Sequence, residues 1–401
     1  MTPRVVVTGL GVVCSTALGS ADFSAALRAG RSGAGPIDLF DTRGFAHAQG
    51  CQVPEFEASR WLRRLPEAEL GRAGRFAAVA ARMAATDARL AGDTLADRRC
   101  LVSVGTTDGG SYELDQVVAD EIGSGPSGIR AELVRKVPAG ALSTAVAREL
   151  GLSRAETMTM ATACAAGNHS VGDALDALRQ GSADLAFCGG ADALCRRNFT
   201  GFYRLGLIAP DLCRPFDIHR QGLLTGEGAG VLVLETEEAA RARGARRYAE
   251  VLGCGINCDA HDQMTPEPES IARCMRLALD DAGVKAHEVD LISAHGTGTE
   301  VNDMIEGRAI REVFGPRPPR TVALKSMLGH TMGAASALAG IACVLSISEG
   351  FVPPTINHTR TDPACGLDRI VSRTETSGID IAQNNGLAFG GNNAVVLYGR
   401  C

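Results

Sequence analysis

Short apolar runs closed by glycine or another small residue recur along the chain: RVVVTG, CLVSVGT, TMTMATA, DLAFCGGADA, AGVLVLE, VDLISAHG, TVALKS and NAVVLYG. Runs this continuous fit strands covered on both faces, and the segments between them place apolar residues at i, i+3 or i+4. That spacing predicts helices over 77–90, 139–150, 165–180, 270–282, 304–314 and 333–349. The alternation is that of a layered α/β protein. Several of these helices consist largely of Ala, Gly and Ser, which lets them approach a sheet closely, so they are expected between layers. The charged segment ETEEAARARGARRYAE, 235–250, is polar on most faces and reads as a solvated helix joining two halves, 1–250 and 251–401. No sequence repeat and no low-complexity linker separates the halves, so one compact unit is expected.

Composition narrows the function classes. The chain has 401 residues, 45% of them hydrophobic, with 40 basic against 46 acidic side chains, enough material for a large core or two fused ones. The net charge of −6 and the lack of basic blocks interleaved with aromatics argue against a nucleic-acid partner. Thirteen cysteines, an odd number with no C-x-x-C pair, speak against a disulfide framework, zinc or an iron–sulfur cluster. No metal is expected, and the thiols fit a reduced, cytoplasmic setting. The N-terminal MTPRVVVTGLGVVCSTALGS imitates a signal peptide, but Thr8, Gly9 and Gly11 interrupt its apolar region, and it reads as a buried strand and a turn. No run reaches the roughly 20 apolar residues of a membrane span, so no membrane partner is expected.

Four glycine-rich stretches carry reactive residues at strand ends: MTMATACAAGNHS (158–170), SAHGTGTEVND (293–303), ALKSMLGHTMGAAS (323–336) and NNGLAFGGNNA (384–394). Glycine permits the sharp turns and close backbone approach that α/β enzymes use there. Cys164 falls at a helix start, where free N–H groups and the helix dipole lower a thiol pKa; the alternative is a buried, inert cysteine. His295 and His330 both sit in glycine-flanked turns, whereas His47, His169, His219, His261, His287 and His358 read as structural or exposed. Lys325, ending TVALKS, is either a solvated edge charge or a buried cation.

Together TACAAG, HGTGT followed by ND, KSMLGHTMGAAS and FGGNNA resemble the active-site blocks of β-ketoacyl-acyl-carrier-protein synthases, the elongating Cys-His-His ketosynthases. VVVTGLGVV, LRAGRSG, CRPFDIHRQGLLTGEGAGVLVLE, CDAHDQMTPEPE and VPPTINH are similar to further family stretches in the same order. The resemblance implies a thiolase fold, with two pseudo-symmetric halves in α-β-α-β-α layers. It implies an acyl carrier protein as partner, and a homodimer or a heterodimer with a ketosynthase-like subunit. It implies no cofactor of the enzyme's own, the phosphopantetheine arm belonging to the carrier protein. By the same resemblance Cys164 takes the acyl chain as a thioester, and His295 and His330 bind the malonyl thioester and assist decarboxylation. The N–H groups of Cys164 and Phe389 form an oxyanion hole, and Phe389 gates malonyl access. Lys325 tunes the electrostatics around His330, while Asp303, Glu306, Thr297 and Thr299 support the site.

Three positions depart from the family pattern. Ala339 stands where a glutamate is usual, so a carboxylate such as Asp303 or Glu306 is expected to approach Lys325 instead. Leu387 and Ala388 replace an aromatic residue and a glycine before Phe389. Asp108, in VGTTDGG, occupies a position that in the family faces the acyl pocket. Either it caps the following turn and faces away, or the acyl group is short, polar or unsaturated, since a charge beside a plain alkyl chain is costly. Two readings compete with condensation. A non-condensing partner subunit would lack the cysteine, and a cysteine hydrolase would need a Cys–His pair with an orienting carboxylate or amide.

Overall fold

The computed structural model describes residues 2–90, 95 and 97–401. Ten strands build the main sheet: β1 (Val5–Cys14), β2 (Cys100–Gly105), β3 (Ala155–Met160), β4 (Leu185–Asp192), β5 (Gly228–Thr236), β6 (Ala249–Cys258), β7 (Leu291–Ser293), β8 (Arg320–Val322), β9 (Ile381–Leu387) and β10 (Asn392–Gly399). The principal helices are α1 (Ser20–Ala29), α2 (Arg72–Asp87), α3 (Ser111–Ser124), α4 (Ala141–Leu150), α5 (Ala166–Arg179), α6 (Arg196–Arg204), α7 (Pro268–Ala282), α8 (Glu300–Phe314) and α9 (Ala335–Glu349). All ten residues of β1 are buried, which places the signal-like N-terminal segment in the core.

The strand order is β8-β7-β9-β10-β6-β1-β5-β4-β2-β3, with the short Ala17–Leu18 strand pairing onto β1. Its two halves, β1-β5-β4-β2-β3 and β6-β10-β9-β7-β8, match strand for strand, including which pairs are parallel. They are joined where Val5–Val7 of β1 pairs antiparallel with 249–251 of β6. Helices α5 and α9 pack on each other and touch strands of both halves, α2 and α4 cover the outside of the first half, and α7 and α8 that of the second. Three large apolar clusters fill the spaces: a central one around α5 and α9, and one under each outer helix pair. These are the expected five layers, in which the two sheet halves are continuous through β1 and β6.

The 235–250 segment is not a solvated connecting helix. Only Glu237–Ala242 is helical, between β5 and β6. Its charges are consumed locally: buried Glu235 pairs with Arg243 and accepts from Thr8, and Glu237 pairs with Arg241 and Arg247. The boundary drawn at residue 250 falls inside β6, where Ala249 and Val251 already belong to the core. Met332–Glu349 is apolar and long enough to cross a bilayer, with a mean hydropathy of 1.5, but it is the central helix and 83% buried.

Candidate active site

Strand ends from both halves meet at one cavity. After β3 the chain makes a single 3-10 turn, Ala163–Ala165, before α5. Ala163 adopts a left-handed φ of 50°, which costs an alanine roughly 1–2 kcal/mol, and the sharp turn sets Cys164 in the cavity wall. The thiol is 7% exposed. Burial pushes it up to about 12, although Lys325 acts to lower it. The lowered pKa expected of a helix start is therefore not the resting state, because desolvation costs the anion more than the nearby cation offsets.

The second half supplies the histidines. Past β7, the turn carrying His295 is held by α8: Glu306 accepts from the main-chain N–H of His295 at 2.7 Å and of Gly296 at 2.8 Å, and from the Asn385 amide at 3.0 Å. Asp303 accepts from the N–H of Phe216 at 2.7 Å and of Gly298 at 3.2 Å. Both carboxylates are fully buried and shifted upward by that burial, Asp303 to about 6. They shape the 295–299 turn from behind the cavity wall.

Lys325 opens a one-turn helix, Lys325–Leu328, and is 8% exposed. Its Nζ donates to the His295 carbonyl at 2.5 Å and lies 3.4 Å from His295 Nδ1. Among the described residues no carboxylate forms an ion pair with it; Asp303 and Glu306 act on it only through the longer-range field, and burial lowers its pKa. The expectation of a neutralising carboxylate fails because turn amides have already claimed Asp303 and Glu306. Ala339 packs against the central apolar cluster.

His330 Nδ1 accepts from the Met332 N–H at 3.2 Å. His295 Nδ1 faces two donors, the Leu387 N–H and Lys325 Nζ, each at 3.4 Å. With Nδ1 accepting in both rings, each carries its proton on Nε2. Burial and the Lys325 charge hold both well below the usual histidine range, so both are neutral. The rings stand edge to face, centroids 5.5 Å apart.

Phe389 follows β9 in the turn Phe389–Gly391. Its ring lies 5.9 Å from Phe202, which lies 6.4 Å from His330. Cys164 and Phe389 each lie in a 3-10 turn at the wall of the same cavity, so their main-chain N–H groups are the candidate oxyanion donors. Phe202, on α6, escaped the sequence reading because no glycine-rich turn or strand end marks it.

The cavity, of about 400 Å³, is lined by Cys164, His295, His330, Phe389, Thr297 and Thr299 among others, including Leu387 and Ala388. The two threonine hydroxyls are 2.8 Å apart. Asp108 is not part of the lining: it pairs with Arg197 of α6 at 3.0 Å, and its charge still raises the Cys164 pKa. No group of side chains placed to hold a metal occurs among the described residues.

Residues 2–240 match the family model described as β-ketoacyl synthase, N-terminal domain, and residues 248–359 match that of its C-terminal domain. The 3-oxoacyl-[acyl-carrier-protein] synthase 2 of Synechocystis sp. is 35% identical, over 98% of this chain and 97% of its own. The solved ishigamide ketosynthase/chain length factor is 54% identical with a TM-score of 0.99, covering 100% of both chains. A type II polyketide synthase acyl-carrier protein solved in complex with its ketosynthase, bound to the hexaketide, gives 31% identity and a TM-score of 0.90, again over 100% of both chains.

Proposed function

The chain belongs to the β-ketoacyl synthase family, and from that premise we propose that it condenses a carrier-bound acyl group with malonyl-acyl carrier protein, with loss of carbon dioxide, in a fatty-acid-like or type II polyketide pathway. Cys164 Sγ attacks the acyl thioester carbonyl; the N–H groups of Cys164 and Phe389 hold the oxyanion, and the carrier thiol leaves with the cysteine proton. The malonyl thioester oxygen then takes hydrogen bonds from Nε2–H of His295 and His330. The bond to the carboxylate breaks, its electron pair enters the enolate, and the enolate carbon attacks the Cys164 thioester, expelling the thiolate. Thr297 and Thr299 support the approaching phosphopantetheine arm, which arrives with the carrier protein. Phe389, lying against Phe202, gates the cavity.

The observation that carries this reading is the convergence on one cavity of Cys164 with two histidines whose Nδ1 atoms face main-chain N–H donors, leaving Nε2 to carry the proton. A hydrolase would need its histidine oriented by a carboxylate or amide, whereas here main-chain N–H groups, with Lys325 at His295, face Nδ1 of the two rings. Asp108 lies outside the cavity lining and is paired with Arg197, so its charge gives no ground for a short, polar or unsaturated acyl group. The free cysteines and a carrier-borne substrate support a cytoplasmic location. The test is incubation with malonyl-carrier protein and a panel of acyl-carrier proteins, read by intact mass. Wild type gives condensed product and carbon dioxide, Cys164→Ala gives no condensation, and His330→Ala still acylates but condenses about 10²–10³-fold more slowly. Product from Cys164→Ala refutes the assignment.

A further inference from the structure

The two donors of the proposed oxyanion hole come from different halves, Cys164 after β3 and Phe389 after β9, so something must fix their spacing. One buried amide spans the gap. Asn168, one turn beyond Cys164 on α5, donates from Nδ2 to the carbonyl of Asn384 on β9 at 3.0 Å and of Ala394 on β10 at 2.9 Å. These strands flank the Phe389 turn. Asn168 Oδ1 accepts from Asn384 Nδ2 at 2.8 Å, and that same Nδ2 donates to the Ser336 carbonyl at 2.8 Å. Ser336 Oγ accepts from the Asn168 N–H at 3.1 Å and donates to the Cys164 carbonyl at 3.3 Å. The amide orientation is dictated by its partners, since the atom facing two carbonyl oxygens must be the NH₂. Asn168 and Asn384 are fully buried. The approach is tight: a Cβ on Gly386 would stand 3.2 Å from Ala165 Cα and from Asn168 Nδ2.

We infer that Asn168 is a positioning residue for acyl transfer, an amide clip that sets the Phe389 N–H against the Cys164 N–H across the two halves. The inference rests on the proposed acylation of Cys164. Oxyanion geometry tolerates only about 0.5 Å of displacement, and the clip acts on the acyl-transfer donors while making no contact with either histidine ring. Asn168→Leu keeps the bulk and removes the bonds.

The experiment measures three rates on the full-length protein: acylation of Cys164 by acyl-carrier protein, decarboxylation of malonyl-carrier protein, and alkylation of Cys164 by iodoacetamide, which develops no oxyanion. Acylation is expected to fall about 10²-fold, the cost of losing one oxyanion donor, with alkylation unchanged and decarboxylation falling much less, since β9 reaches His295 only through the 3.4 Å Leu387 N–H contact. Asn168→Asp provides the second variant. Ionised, it repels the two carbonyls; protonated, it regains a donor, so its acylation relative to wild type recovers as pH is lowered. Parallel loss of all three rates in both variants, or unchanged acylation in Asn168→Leu, overturns the inference. Failure of the wild type to acylate at Cys164 would instead remove the reading beneath it.

Discussion

At the scale of single residues, the site is governed by a thiol whose burial disfavours its anion and by a buried lysine with no ion-pair partner among the described residues. The Cys164 thiol, pushed up to about 12, is un-ionised through the neutral range, and below its pKa the thiolate fraction rises tenfold per pH unit. Its alkylation by iodoacetamide, followed by the mass of the Cys164 peptide, should therefore climb about tenfold per pH unit from roughly pH 6 to 9 without a plateau. Lys325→Met should slow it, since that cation favours the thiolate; a plateau below pH 9 would show an ionised resting thiol. His295 and His330 were legible in the sequence because glycines flank the turns that present them, and Cys164 because it falls where an alternating strand meets a small-residue helix. Asn168 and Ser336 were not, because a polar residue within a small-residue helix carries no mark of what it faces across the layers. The partner of Lys325 was misread for a related reason: sequence shows which carboxylates are near in the chain, not which main-chain amides have already bound them.

At the scale of elements, the continuous apolar strands were visible, and β6 and β9 were not. In β6 buried and partly exposed positions alternate over AEVLGCGINC, so glycine and cysteine dilute its pattern. β9 begins Ile-Ala-Gln-Asn-Asn and buries its amides in the network around Asn168 and Glu306, where a reading by hydropathy sees a loop. Of the small-residue helices, α5 and α9 lie between layers as expected while α2 and α4 cover the outside of the first half, and the packing of the inner pair makes a measurable claim. Gly167 sits in the first turn of α5 where it crosses α9, and a Cβ there would lie 2.6 Å from the Ala337 nitrogen and 2.9 Å from Ser336 Oγ. Glycine to alanine inside a helix ordinarily stabilises by about 0.5–1 kcal/mol. Here the crossing reverses the sign: Gly167→Ala should destabilise by about 1–3 kcal/mol, the cost of overpacking a filled core, as measured by urea unfolding. An unchanged or raised midpoint would mean that α5 and α9 can separate without cost.

At the scale of the molecule, the duplication that the sequence hides is written in the topology. The two strand orders coincide, and the turns before α5 and α9 repeat the same strained residue, Ala163 at φ 50° and Met332 at φ 51°. The halves differ at their outer edges. On β8, Thr321 donates to the Arg369 carbonyl and accepts from the Val371 N–H, so the chain covers its own edge. Nothing covers β3 among the described residues, and Glu156 and Thr157 are exposed. An uncovered edge invites strand pairing with another chain, either a second copy or a ketosynthase-like subunit. The ladder shows which groups are free: Cys100 and Thr106 donate to the carbonyls of Arg154 and Met160, so with a two-residue period the even-numbered residues face β2, and Thr157 and Thr159 direct their main-chain groups outward. Proline at 157 should therefore leave the inner ladder intact while removing an outward donor and hindering pairing. Sedimentation of the wild type, alone or with a ketosynthase-like partner, should give a species of about twice the 41.7 kDa of one chain, and Thr157→Pro should sediment as the monomer with unchanged circular dichroism. Association that survives this substitution would place the interface elsewhere than β3.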